Sequence, residues 1–206
     1  MPLVLLILGL AVLIVVAAAT FTARRRERRE LRALAARRRL NFTPDDLIDL
    51  HERYYRLSII RRGHSRFAWN LLYGSTEEGL VSIFNYRCDL GFGVNQTDRS
   101  WWLAIVETGA AHAAWQAERQ SFVDPFRSEK HERTEGPLVI RADEESTLDR
   151  LPMSELRRLF EDFPLLEHAE VRRQLVCAAA PRRGDTETPE RLLEAVRALA
   201  RLTAGL

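Results

Sequence analysis

The sequence predicts an α+β fold, with an N-terminal transmembrane helix followed by one domain in which helices pack on a mostly antiparallel sheet. Three observations lead to this prediction. The first 20 residues carry no charged side chain, the next 21 are rich in arginine, and the remainder alternates short strand-like and helical patterns. We therefore divide the 206 residues into a transmembrane helix (1–20), a basic juxtamembrane helix (21–41) and a cytoplasmic α+β domain (42–206).

The overall composition permits a conventional hydrophobic core and excludes several specialised classes of protein. Apolar residues make up 46% of the chain and charged residues 29%, which is unlike a disordered or collagen-like sequence. Two cysteines without a C-x-x-C pair exclude a disulfide scaffold and a zinc-nucleated fold. We expect no cofactor and no metal site.

Residues 3–19 form an unbroken apolar run, which together with its edges supplies about 18 helical residues spanning roughly 27 Å. That length just matches the hydrocarbon core of a bilayer. A cleaved signal peptide is the alternative, because Ala17, Ala18 and Ala19 satisfy the small-residue rule for cleavage. The positive charge lies only downstream of the run, which favours a retained anchor in a bacterial inner membrane, with the N-terminus outside and the domain in the cytoplasm.

The arginine-rich stretch has the opposite charge to the domain that follows it. Residues 21–41 contain nine arginines against two glutamates, whereas residues 42–206 contain 22 basic and 27 acidic side chains. We expect this stretch to be helical and to contact anionic lipid headgroups. The alternative, nucleic-acid binding, is disfavoured because the attached domain is acidic. The predicted membrane-surface contacts are Arg24, Arg25, Arg28, Arg29 and Arg32.

The first element of the domain is predicted to be a helix. Thr43 resembles an N-cap, Pro44 suits the first helical position, and two aspartates follow in the first turn. Apolar residues at helical spacing should face the core: Leu47, Leu50, Tyr54 and Leu57. This helix should end before Gly63.

Period-two patterns after Gly63 predict strands at 66–73, 80–88, 101–107, 138–141 and 174–178. Short connections between the first three predict an antiparallel meander. Helical patterns cover 110–120, 154–163 and 189–202, and the charged residues 128–136 read as a surface loop.

Aromatic residues concentrate in the first three predicted strands. Trp101 and Trp102 are consecutive, so they should point to opposite faces of the sheet, and helices cover one face. The other face is either a second core or a binding face for a partner or the membrane. The aromatic set is Phe67, Trp69, Tyr73, Phe84, Tyr86, Trp101 and Trp102, and the candidate binding face comprises Trp69, Tyr86, Trp101 and Trp102.

Glycine, asparagine and aromatic residues recur at defined positions around the first three predicted strands: Gly63, Asn70, Gly74, Phe84, Tyr86, Gly91, Gly93 and Trp101. They resemble a pattern found in uncharacterised bacterial single-span membrane proteins of unknown function. The resemblance covers residues 55–108 and the general layout of anchor, basic stretch and domain. The chain departs from that pattern at Val94, where related chains tend to have lysine. The resemblance implies a topology and no activity.

Three short motifs resemble catalytic or binding motifs but lack an essential residue. Residues 51–55 begin like the zinc-protease sequence H-E-x-x-H, yet position 55 is tyrosine. Residues 63–67 resemble a G-x-S-x-G nucleophile elbow with phenylalanine in the last position. Residues 91–95 resemble a phosphate-binding glycine loop, but a strand follows instead of a helix. Cys88 and Cys177 lie in apolar strands and are expected to be buried and reduced.

Two functional hypotheses remain. The first is a non-enzymatic, membrane-anchored domain that binds a membrane-associated protein or a small ligand, with the lipid bilayer as its permanent partner and no nucleic acid. The alternative is an enzyme with an unrecognised site that acts on a membrane-proximal substrate. It would require titratable groups that converge in one cleft, for example His64 or His112 near Glu107.

Overall fold

The computed structural model describes residues 2–46, 48–91, 93, 96–122, 131–183 and 187–205, with the side chains of the first helix described from residue 9 onward. Sequence predictions for Leu47, Val94 and residues 128–130 lie outside this set. The fold is α+β, as predicted: a seven-stranded sheet, antiparallel at every described pairing, is packed by helices.

The helices are α1 (Pro2–Arg37), α2 (Leu50–Arg53), α3 (Glu145–Arg150), α4 (Met153–Asp162) and α5 (Glu187–Thr203). The strands are β1 (Asn41–Thr43), β2 (His64–Thr76), β3 (Gly79–Leu90), β4 (Thr97–Arg119), β5 (His131–Glu135), β6 (Leu138–Ala142) and β7 (His168–Pro181). The sheet order is β1-β2-β3-β4-β6-β5, and β7 pairs with β4. The predicted meander is confirmed as β2-β3-β4.

The long strand β4 organises the sheet. Its first half pairs with β3, its second half pairs with β6, and β7 runs beside both halves. Trp102 faces the larger core cluster, which contains residues of α1, α4 and α5, while Trp101 faces a smaller cluster under residues 50–60. The prediction that these tryptophans point to opposite faces is therefore confirmed, and both are buried.

The predicted helix starting at Thr43 is wrong. Thr43 lies in β1, where it pairs with Leu71, and the carbonyl of Pro44 accepts the Asn70 N–H at 3.1 Å. The Asp46 carboxylate instead accepts the N–H of Leu50 at 3.0 Å, so the short helix α2 begins later than predicted. Tertiary strand pairing overrides the local capping pattern, although Leu50, Tyr54 and Leu57 are buried as predicted.

The predicted helix at 110–120 is also wrong, because residues 110–119 belong to the second half of β4 and Gln120 begins a short 3-10 helix (Gln120–Phe122). Alanine and glutamine favour a helix locally, but pairing with β7, joined by β6 from Trp115 onward, decides the conformation. The predicted loop at 128–136 contains the strand β5, whose charged residues suit a sheet edge. The predicted helices at 154–163 and 189–202 are confirmed as α4 and α5.

Candidate functional site

The five arginines predicted to contact the membrane surface are exposed on α1: Arg24, Arg25, Arg28, Arg29 and Arg32. The Arg25 guanidinium lies 4.3 Å from the Phe21 ring centre, and that of Arg32 lies 5.7 Å from the ring centre of Phe42. On the opposite side of the helix, Glu27 forms an ion pair with Arg182 at 2.9 Å. In this part of α1, the five arginines therefore point outward and Glu27 points to the domain.

The last turns of α1 belong to the domain core. Leu31 and Leu34 are 0% and 2% exposed, and Ala35 is also buried. Arg38 pairs with Glu190 at 2.8 Å and with Glu194 at 3.1 Å, both on α5. The helix is therefore fixed to the domain by packing and ion pairs together.

The N-terminal half of α1 has a different environment. Its apolar side chains are more than half exposed: Leu10, Val12, Leu13, Ile14, Val15, Val16 and Phe21. Among the residues that the structure describes, no helix combines the length and the apolar character that crossing a bilayer requires.

The four residues of the candidate aromatic face do not share one surface. Tyr86 is buried and its hydroxyl donates to the Ile60 carbonyl at 2.7 Å, and Trp101 and Trp102 are buried on opposite faces. Trp69 is half-buried, and its ring stacks on that of Phe67 with 5.5 Å between centres. Of the four, only Trp69 reaches the surface.

A buried charge cluster, which the sequence analysis did not identify, lies on the sheet face that carries the smaller core. Glu118 is fully buried on β4, and its carboxylate contacts Arg62, Arg141 and His168. The separation is 3.1 Å to Arg141 and 2.8 Å to His168 Nδ1. We call Arg62, Glu118, Arg141, His168 and Glu170 the buried charge cluster.

The second carboxylate of the cluster, Glu170, is fully enclosed. It lies 3.2 Å from His168 Nε2, accepts the backbone N–H and the hydroxyl of Ser58 at 2.8 Å each, and pairs with Arg172 at 3.0 Å. Both carboxylates therefore have several donors, which is the condition under which buried charges are tolerated.

The ionisation of the cluster follows from these contacts. Burial alone would raise the pKa of both glutamates, but the hydrogen bond and charge of His168 outweigh it, so the pKa of Glu118 is lowered and that of Glu170 falls to about 2. Burial alone would lower the pKa of His168, yet the two carboxylates raise it. The His168 ring thus lies between two carboxylates, with Glu118 at Nδ1 and Glu170 at Nε2.

The only sequence signal at the buried charge cluster is a period-two alternation of polar and apolar residues. Gln116 and Glu118 flank Ala117, and His168 and Glu170 flank Ala169. Such alternation predicts two half-buried strands, but it would have assigned the polar residues to solvent. The covering segment with Ser58 and Arg62 is distant in sequence, so burial of the cluster could not be predicted.

Of the two histidines predicted to meet Glu107, His64 does not, and the pairing of His112 with Glu107 stays a prediction. Glu107 accepts hydrogen bonds from Arg53 at 2.7 Å and from the Tyr54 hydroxyl at 2.8 Å. His112 Nε2 lies 3.2 Å from the Thr108 hydroxyl. His64 pairs with Asp89 at one end of β3 and Glu107 with Leu80 at the other end, which separates them by about 30 Å along the strand.

The remaining candidate motifs occupy ordinary structural positions. His51 lies beside Arg66 at 2.8 Å, and Ser65 is exposed at the start of β2. Gly91 and Gly93 connect β3 to β4. Cys88 and Cys177 are buried free thiols, and burial raises the pKa of Cys88 to about 11. Within the described parts of the chain, no three His, Cys, Asp or Glu side chains are grouped to hold a metal ion.

Comparison with known proteins defines the fold alone. No family model and no curated protein sequence matches the chain. A solved structure that resembles it is the crystal structure of the mycobacterial trehalose monomycolate transport factor A, TtfA. The TM-score is 0.69 at 12% sequence identity, over 85% of this chain and 93% of that one. The likeness therefore extends over nearly all of the TtfA chain in the solved structure.

Proposed function

We propose that this chain is a single-pass protein of the bacterial inner membrane, with its N-terminus outside and its α+β domain at the cytoplasmic surface. There the domain binds a membrane-associated protein or a small ligand without catalysing a reaction. The supporting observation is the exposed apolar half of α1, where Leu13 and Val15 are 65% and 67% exposed. Exposed apolar area of this extent indicates a surface that another phase or molecule covers.

The distribution of these side chains favours lipid over a protein groove. Residues 12–16 are consecutive and all more than half exposed, and successive helical residues point about 100° apart. The apolar surface therefore surrounds the helix, whereas a helix that binds a groove has one apolar stripe. Residues 3–8 extend the run with Leu, Val and Ile only. The exposed arginines that follow suit the cytoplasmic headgroup region.

A binding role is better supported than an enzymatic one. His64 and Glu107 lie far apart, and the buried charge cluster is closed to solvent, because Glu118, His168 and Glu170 are fully buried. The fold resembles that of a protein named as a transport factor, and at 12% identity this likeness assigns neither its role nor its cargo to this chain. An enzyme acting on a membrane-proximal substrate is the alternative.

Alkaline carbonate extraction of bacterial membranes tests the anchor. We expect the full chain to remain in the membrane pellet, and the double variant Leu13→Glu, Val16→Glu to move to the supernatant, because each buried carboxylate costs several kcal/mol in hydrocarbon. Leu80→Glu is the matched control, since Leu80 is also 52% exposed but lies in the β2–β3 hairpin. Extraction of the unaltered chain would overturn the anchor.

Affinity capture tests the binding role. The tagged full chain, captured from membranes solubilised in several different detergents, should enrich the same partner or ligand each time. Background proteins only, or turnover of a membrane-proximal substrate by the purified chain, would contradict a non-enzymatic binding module and favour the alternative.

A further inference from the structure

An exposed aromatic side chain is linked to α1 through a series of side-chain contacts. Phe67 is 61% exposed and stacks on Trp69, and the Arg182 guanidinium lies 5.5 Å from the Trp69 ring centre. Arg182 in turn pairs with Glu27 of α1. We call Phe67, Trp69 and Arg182 the aromatic edge. Through these contacts the aromatic edge is connected to α1 at the position of Glu27.

The direction of β2 relative to α1 follows from two contacts. Gly74 lies against Leu40, just beyond the C-terminal end of α1, whereas Trp69 is connected through Arg182 to Glu27. Going from Leu40 to Glu27 covers about 20 Å along a helix, and from Gly74 to Trp69 about 17 Å along a strand. The two distances agree, so β2 runs from Gly74 back to Phe67 toward the N-terminal half of α1.

The distance of the aromatic edge from the predicted hydrocarbon core then follows from the positions of Glu27 and Phe67. Glu27 lies seven residues after Thr20, the end of the predicted transmembrane segment, which is about 10 Å along the helix. Phe67 lies two residues beyond Trp69, about 7 Å closer to that segment. A headgroup region extends roughly 5–8 Å beyond the hydrocarbon core on each side. Phe67 thus reaches the level of the headgroups.

The positive charge that faces the bilayer at this end of the sheet comes from α1. Acidic and basic side chains of the sheet end itself balance: Arg66, Arg87, Arg99, Arg182 and Arg183 lie there with Asp46, Asp49, Asp89, Asp98 and Glu167. The exposed arginines of α1 beside the aromatic edge supply the excess of positive charge that anionic headgroups attract. Amphipathic aromatic rings beside arginine are typical of the membrane interface.

We infer that the aromatic edge is a membrane-contact surface that rests on the anionic headgroups and fixes the domain against the bilayer. This inference rests on the proposed membrane anchor. It specifies the orientation of the domain: the end of the sheet with Phe67 faces lipid, and the β2–β3 hairpin with Leu80 points away.

Fluorescence quenching in vesicles tests this orientation. The full chain is reconstituted in vesicles of zwitterionic and anionic phospholipid that carry a quencher on the headgroup. A fluorophore is attached at Phe67→Cys or, as the matched control, at Leu80→Cys, two exposed apolar positions at opposite ends of β2 and β3. The native Cys88 and Cys177 are buried, and the unaltered chain measures their background labelling. We expect quenching at least about twofold stronger at position 67.

The outcomes separate this inference from the anchor. A chain that stays with the vesicles after a carbonate wash, but shows equal quenching at both positions, overturns the membrane-contact surface and leaves the anchor intact. An edge that faces a protein partner gives that same result in purified vesicles. A chain that washes off overturns the anchor and this inference with it.

Discussion

At the residue scale, Glu118 is the residue on which most ion pairs of the buried charge cluster depend. Its carboxylate is shared by two arginines and the His168 ring, whose side chains are 0–8% exposed. Removing the carboxylate would take a counter-charge from both arginines and a partner from His168, leaving Arg141 with Glu132 and His168 with Glu170. Breaking a buried ion pair by removing one partner destabilises a protein far more than the intact pair stabilises it.

Glu118→Ala should therefore lower the free energy of unfolding by about 3–5 kcal/mol. The measurement is urea denaturation of the full chain in mild detergent, followed by circular dichroism. Glu132→Ala is the matched control: it also removes a partner of Arg141, but its side chain is 45% exposed, so we expect a loss of under about 1 kcal/mol. Equal losses in the two variants would contradict a role for burial.

The pKa of His168 predicts how stability changes with pH. The charged groups that face it are Glu118 and Glu170, with Arg62 and Arg141 behind Glu118. Because its folded pKa is raised, the stabilisation is complete below about pH 6.5 and is lost as pH rises through the folded pKa. The lowered pKa of the two glutamates acts oppositely: their contribution is present above about pH 4.5 and is lost in acid.

Above pH 6.5, the free energy of unfolding should fall by up to about 1.4 kcal/mol per pH unit. Urea midpoints between pH 6 and pH 9 measure this slope. His168→Gln should remove this part of the slope, while His131→Gln, on the edge strand β5, should retain it. A slope that survives in His168→Gln would assign the pH dependence to other groups.

Gly63 has a backbone requirement that the sequence pattern did not explain. Its φ is +62°, and a Cβ at this position would lie 2.2 Å from the Asp89 carbonyl oxygen on β3. Gly136 has a similar φ of +58° with no atom within 4 Å of such a Cβ. Comparing the two glycines therefore separates the cost of the left-handed backbone from the cost of the close contact between a Cβ and Asp89.

Gly136→Ala should cost about 1 kcal/mol from the left-handed conformation alone. Gly63→Ala should cost a further 1–3 kcal/mol or so, because β2 must move away from β3. Thermal unfolding of the two variants measures the difference. Similar losses would show that the contact with Asp89 relaxes without cost.

At the element scale, sequence patterns predicted the elements whose local and tertiary preferences agree. α4 and α5 carry apolar residues at helical spacing and face one core, and β2 and β3 alternate between two covered faces. The helix predicted at 110–120 fails because its alanines favour a helix, while pairing with β7, and from Trp115 also with β6, requires a strand. The helix start predicted at Thr43 fails for the same reason, because the capping pattern is local whereas the pairing of Thr43 with Leu71 is a tertiary contact.

The junction of α1 with the domain gives a prediction about element boundaries. Removing residues 1–20 deletes only exposed or undescribed side chains, whereas removing residues 1–40 also deletes the buried Leu31, Leu34 and Leu40. Burial of three leucines contributes about 5–9 kcal/mol, comparable with the whole stability of a domain. A chain that begins at residue 21 should melt cooperatively by circular dichroism, and one that begins at residue 41 should not. Cooperative melting of both would show that α1 is not part of the core.

At the scale of the whole molecule, the continuous helix makes the position of the domain depend on the position of the proposed anchor. α1 runs from Pro2 to Arg37 as one helix, and its last turns are packed and ion-paired with the domain. A rigid connection of this kind transmits the orientation of the helix to the sheet. Charge beside the apolar run should therefore decide on which side of the membrane the entire domain lies.

Replacing Arg24, Arg25, Arg28, Arg29 and Arg32 with glutamine leaves four arginines against two glutamates in residues 21–41. Positive charge within 15–20 residues of an apolar segment holds that flank in the cytoplasm, so its removal should let a measurable fraction of chains insert with the domain outside. Alkaline phosphatase fused to the C-terminus reports this fraction, since the enzyme is active only outside the cytoplasm.

The matched control replaces five exposed arginines of the domain with glutamine: Arg150, Arg158, Arg173, Arg191 and Arg201. Because those positions lie far from the apolar run, the control should keep phosphatase activity at its background level. Equal activity in the two variants would mean that the basic stretch does not set the topology, and the arginines of α1 would then need another role.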